Sequence, residues 1–164
     1  MRQRQSRRKN GRALYRTRSA LEEKNTRERA DMFGYVAGLP AFLSYFAFGL
    51  LAYAVFAGIY TRLTPHDEMR LIRSGNLSAT IAFLGALAGF GLPMASAAAN
   101  SVNIIDFIIW SIIGIVVQIL AFYVARASLP GIHEKIGRGE VSAGVWGGGI
   151  ALIIGILNAA CMTY

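Results

Sequence analysis

Four stretches of the chain carry no charge, or a single one, over the length of a bilayer. Leu39 to Tyr60, Leu77 to Ala99 and Val141 to Thr163 lack Asp, Glu, Lys and Arg, and about Ile104 to Ala125 holds one acid, Asp106, near its start. At 1.5 Å per residue, about 20 residues cross ~30 Å of hydrocarbon. Backbone groups in lipid must bond within their own segment, so these stretches read as helices. The second and fourth are rich in Gly, Ala and Ser. They are expected to pack against protein more than lipid. Pro93 removes one backbone donor from the second and is expected to kink it.

The connecting segments are short and polar. Thr64-Pro65-His66-Asp67 reads as a helix start, with Thr64 as cap, Pro65 at the first position and Asp67 at the positive end. Gly75 suits the stop. A surface helix is expected over about 65–74, with Met69 and Ile72 turned to the membrane. Leu129 to Glu140 is a weaker counterpart.

Shifted by 64 residues, the chain partly overlays itself without gaps. Gly75 meets Gly139, Ser78 meets Ser142, Ala79 meets Ala143, Gly85 meets Gly149, Gly91 meets Gly155 and Ala95 meets Ala159. The fold expected is therefore an all-α membrane protein, with four transmembrane helices arranged as two parallel two-helix repeats. Repeat one covers about 39–99 and repeat two about 104–163.

Charge separates an arm from this body. The chain is 54% hydrophobic and 16% charged, with mean hydropathy +0.43, against roughly 25% charged residues in a soluble domain. Of its 17 Lys/Arg, eleven lie in residues 1–31 beside four acids. That arm is expected to be disordered or an extension, attracted to anionic lipid or nonspecifically to RNA phosphate. No specific nucleic-acid motif is present. Met32-Phe33-Gly34-Tyr35 reads as a natural start, which would make the arm an extension or a mis-assigned start. Within 32–164, Arg62, Arg70, Arg73, Arg126, Lys135 and Arg138 all fall between spans one and two or between three and four. Basic residues near span ends stay cytoplasmic, so without the arm both termini are expected outside. The arm's eleven would reverse that vote. The six are candidate contacts to anionic headgroups or to a partner.

Gly85-x-x-x-Gly89 and Gly144-x-x-x-Gly148 put small residues one turn apart, and Gly155 extends the second face. Such faces bring backbones close. They serve either a homo-oligomer or the packing of span two on span four within one chain. Asp106 lies near a span end, where water and the helix's positive terminus favour it; deeper acids are functional suspects. Gln118 and Asn158 either bond between helices or line a polar path. Asn76 and Glu140 occupy equivalent entries to spans two and four, as caps or as a paired ligand site.

His66, Asp67 and Glu68, with His133 and Glu134, are read as solvated polar residues at headgroup level. They do not align under the repeat. Cys161 is read as a buried, inert thiol. No catalytic residue, metal site or cofactor is expected: HExxH, a phosphate-binding loop and a nucleophile elbow are all missing from the sequence.

Ser74-Gly75-Asn76-Leu77-Ser78-Ala79, followed by Gly85, Gly89 and Gly91-Leu92-Pro93, and Gly155-Ile156-Leu157-Asn158-Ala159-Ala160-Cys161 near the end resemble the YjfL-like family of small bacterial inner-membrane proteins, built of paired two-helix units. The likeness covers about 32–164. Many members carry Asn in both copies, where this chain has Asn76 and Glu140. The resemblance implies a multi-pass inner-membrane location, no established activity, and association with envelope-stress systems. The function expected is a non-enzymatic scaffold or partner subunit, assembling with itself or with another membrane protein. The alternative is a small oligomeric channel or transporter with a path near Asp106, Gln118 and Asn158.

Overall fold

The computed structural model describes residues 18, 20–29, 33–34, 36–65 and 67–162. Two compact units divide at Leu43/Ser44. In the first unit, residues 20–29 are helical and exposed. The sequence pattern suggested no element there. Ion pairs one turn apart, Arg18–Glu22, Lys24–Glu28 and Arg27–Glu23, accompany this helix and add about 0.3–0.5 kcal/mol each.

Among the described residues, four helices are long and apolar enough to cross a membrane. These are α1 (Leu39–Leu63), α3 (Leu77–Asn100), α4 (Ile104–Ser128) and α6 (Val141–Cys161). Two six-residue helices lie between them, α2 (Glu68–Arg73) and α5 (Ile132–Gly137). The second short helix starts and ends 64 residues after the first, and α6 starts 64 residues after α3. Gly75 and Gly139 follow the short helices with φ of 83° and 81°, the left-handed region that favours glycine.

The first loop departs from the sequence reading. Asp67 caps α2, accepting from the Arg70 N–H at 3.0 Å. Thr64 instead closes α1, its buried hydroxyl donating to the carbonyls of Tyr60 and Thr61. Thr64 and Asp67 were both competent caps, and α1 continues to Leu63, one turn beyond its last aromatic, so the helix start moves to Asp67. Met69 is exposed, whereas Ile72 packs on the core.

The closest packing joins α3 and α6. A Cβ on Gly85 would overlap the backbone of Gly148, one on Gly144 would overlap Ser78, and one on Gly155 would overlap Gly89. The matched positions rise together, so these two helices run in the same direction. Ser96 Oγ donates to the Ala159 carbonyl at 3.1 Å further along. By contrast α1, from Ser44 onward, joins the core through rings. Phe56 stacks on Phe90 at 4.8 Å, while Tyr45 meets Phe107 and Tyr60 meets Phe83 and Phe122. Such pairs contribute about 0.5–1.5 kcal/mol each beyond area burial.

Burial corrects one expectation. α3 is the most buried span, but α4 is more buried than α6. Glycines line one face of α6, while Val145, Trp146, Ile153, Ile156 and Leu157 leave the other exposed. α3 runs unbroken through Pro93.

Candidate functional site

Short loops put the C-termini of α1 and α4 and the N-termini of α3 and α6 at one end of the unit, with α2 and α5. Side chains tie the two loop regions together there. Asn76 accepts from the Ala79 N–H at 3.0 Å, capping α3, and its Nδ2 donates to the carbonyls of Ile136 (2.9 Å) and Gly137 (3.3 Å). Ser78 Oγ donates to the Glu140 carbonyl at 2.7 Å. Glu140 stands at the N-cap of α6 with nearly the same backbone angles as Asn76, but its side chain makes no cap bond. Its carboxylate accepts instead from Arg138 at 2.8 and 3.0 Å. The Glu140 side chain thus makes neither the cap bond nor the bonds across to the other loop that Asn76 makes.

This end is basic. Arg62, Arg70, Arg73, Arg126 and Arg138 are exposed and Lys135 is half-buried. Of these six, Arg138 alone has an ion pair among the described residues.

Beneath the basic end lies a cavity of about 30 Å³. Its polar lining comes from Tyr60 of α1 and Thr64 just past the end of that helix, Glu68 of α2, Gln118 and Arg126 of α4, and His133 of α5. Helices α3 and α6 contribute only alanines and one glycine. Glu68 is 1% exposed and Gln118 is 3% exposed. Gln118 Nε2 donates to the carbonyls of Ala86 (3.2 Å) and Ala151 (3.3 Å). Only the amide nitrogen can donate to carbonyl oxygens, so these two bonds fix which end of the amide is which. His133 is half-buried, with its ring stacked on Phe122 at 5.3 Å. A surface groove outside shares Arg126, Ile132 and His133 with the cavity.

This arrangement corrects the reading of Glu68 and His133 as solvated headgroup-level residues: α2 and α5 fold these side chains inward. Asp67 and Glu134 stay exposed, and His66 lies outside the described residues. The sequence reading gave Thr64 a capping role and Glu68 a solvated one, and placed neither of them, nor Tyr60, in a buried site. One signal was available for Glu68. Ile132 stands 64 residues on, is likewise the first residue of its short helix, and is 3% exposed.

The remaining candidates scatter. Asp106 sits in the first turn of α4, at the far end. Its N–H donates to Asn103 Oδ1, and its carboxylate accepts from the Val102 N–H at 3.2 Å. Twelve residues separate it from Gln118, about 18 Å along the axis. Asn158 is half-buried on α6. Cys161 is exposed, which corrects its reading as a buried thiol; it stands in the last turn of α6, next to Met162, which is buried in the core instead. Among the described residues no three His, Cys, Asp or Glu cluster as metal ligands would.

A family model described as a Domain of Unknown Function, DUF350, matches residues 34–162. The chain belongs to the DUF350 family. It is 43% identical over 126 residues to the UPF0719 inner membrane protein YjfL of Escherichia coli strain K12, covering 77% of this chain and 96% of that relative. The protein of the same name in Escherichia coli O157:H7 matches equally. No solved structure matches the chain. With its four spans, this DUF350 member is a multi-pass inner-membrane protein.

Proposed function

We propose that this DUF350 member is a non-enzymatic membrane component that works through its basic end. There it meets anionic headgroups and a partner of the envelope-stress type, another membrane protein or a second copy of itself. The observation that carries this reading is the ordering of α2 and α5 at one end, with Arg62, Arg70, Arg73, Arg126 and Arg138 exposed together. Each basic residue near an anionic surface contributes about 1 kcal/mol of attraction. The same charges favour placing this end in the cytoplasm.

A duplicated two-helix unit, both copies entering the membrane in the same direction, accounts for the layout. Its support is the 64-residue spacing of α2 and α5 and the like direction of α3 and α6. Inward use of Gly85, Gly89, Gly144, Gly148 and Gly155 favours packing within the chain over a homo-oligomer contact at those glycines. The separation of Asp106, Gln118 and Asn158 weighs against a single polar path for a channel or transporter.

Photo-crosslinking groups at positions 70, 135 and 102 in native membranes test this reading. Adducts to one partner from 70 and 135, with none from 102, are the expected result. Equal capture from all three positions would reject it.

A further inference from the structure

The junction of α3 with α6 is used once within the chain, and each helix leaves half of it open. On α3, the residues that meet α6 include Ser78, Ile81, Ala82, Gly85 and Gly89. Their counterparts 64 residues on are Ser142, Val145, Trp146, Gly149 and Ile153. All five line an open groove of about 430 Å³ on α6, and Val145, Trp146 and Ile153 are exposed. The converse holds on α3. Gly148 of α6 sits on Gly85, but its counterpart Leu84 turns away from the core and is 57% exposed.

Gly149 supplies an independent sign. A Cβ there would meet nothing within 4 Å, so the chain's own packing gives no reason for a glycine. Glycine inside a helix costs stability relative to alanine, and a bare position offers a floor for a neighbour's side chain. The walls suit such a guest. Trp146 and Ile153 stand where α3 has Ala82 and Gly89. They hold a second backbone at a distance, and a leucine in the place of Gly148 spans the wider gap. Leu84 and Gly149 also lie at similar depths, ~10 and ~12 Å from the starts of their helices. Copies inserted in one membrane share one orientation, so α3 of one copy runs parallel to α6 of the next, as the two do within the chain.

We infer that the α6 groove takes α3 of a second copy, with Leu84 seated on Gly149 between Trp146 and Ile153. The contact continues the α3–α6 junction from one copy to the next. It rests on the duplicated-unit and self-association readings above. It joins different faces of the two copies, the heterologous arrangement that gives rings or open chains. Tyr53 of α1 covers Gly91, so the seat is confined to the half of α3 nearer the basic end.

The test is disulfide crosslinking between two differently tagged full-length copies in native membranes, in a Cys161→Ser background. Leu84→Cys in one copy with Val145→Cys in the other should give a mixed dimer on mild oxidation. Leu51→Cys, on α1 and as exposed as Leu84, should give little or none with Val145→Cys. Adding Gly149→Leu to the Val145→Cys copy fills the groove and should cut the Leu84 product about tenfold; Gly149→Met serves if the leucine variant fails to accumulate. Absence of the mixed dimer, an equal yield from Leu51→Cys, or an undiminished yield with the groove filled would overturn the assignment and leave lipid in the groove. The readout is independent of the basic end. A mixed dimer without partner adducts at positions 70 and 135 would keep this contact and reject the basic-end reading, and adducts without the mixed dimer would do the reverse.

Discussion

Gly155 rests against the carbonyl oxygen of Gly89, so closely that a side chain on Gly155 would overlap that oxygen. The oxygen is available because Pro93, four residues on, has no N–H to give it. One proline and two glycines thereby turn a defect in α3 into a contact surface for α6. Close approach of this kind gains dispersion and weak Cα–H···O bonds.

Gly155→Ala should therefore destabilise the protein by about 1–3 kcal/mol, the range for overpacking a filled interior. Gly149→Ala, on the same helix, meets nothing within 4 Å. It should be neutral or stabilising by up to about 1 kcal/mol, because alanine favours a helix. Reversible unfolding in mixed micelles compares the two, and equal effects would contradict the seam.

Asn76→Ala removes a cap and two bonds to the end of α5. A loss of about 1–2 kcal/mol is expected, at the upper side of ordinary cap deletions. Glu140→Ala removes only an exposed pair with Arg138 and should lose under about 1 kcal/mol. The same unfolding measurement checks the order. A larger loss at 140 would place the junction's support in the second copy.

Gln118→Leu removes the two bonds that reach Ala86 and Ala151. It should destabilise by about 1–3 kcal/mol. Hydrogen exchange should quicken in the adjoining turns of α3 and α6 and stay unchanged around Asp106. Exchange that quickens at both ends of α4 would instead mean that the whole helix has loosened.

The spans were legible because charge is forbidden in hydrocarbon, and all four helices begin within a residue of where charge or turn residues stop. The glycine faces were legible as faces, but their partner was not. Only the fold puts Gly85 on Gly148. The short loops misled for a local and a tertiary reason. Thr64 and Asp67 both qualify as caps, and sequence cannot say how far α1 will run. Glu68 reads as a solvated acid between Asp67 and Met69 until α2 turns it inward to the cavity that Gln118 also lines. Its alignment with Ile132 carried the one hint, and that hint depends on trusting the 64-residue offset.

The most direct test of the account is the placement of three loop positions across the bilayer. Arg70→Cys, Lys135→Cys and Val102→Cys are made singly in a Cys161→Ser background and labelled in intact cells with a membrane-impermeant maleimide. Positions 70 and 135 should behave alike, and 102, between α3 and α4, should label from the opposite side. Labelling of 70 and 102 from one side would mean that α3 does not cross, and the four-span arrangement would fail with it.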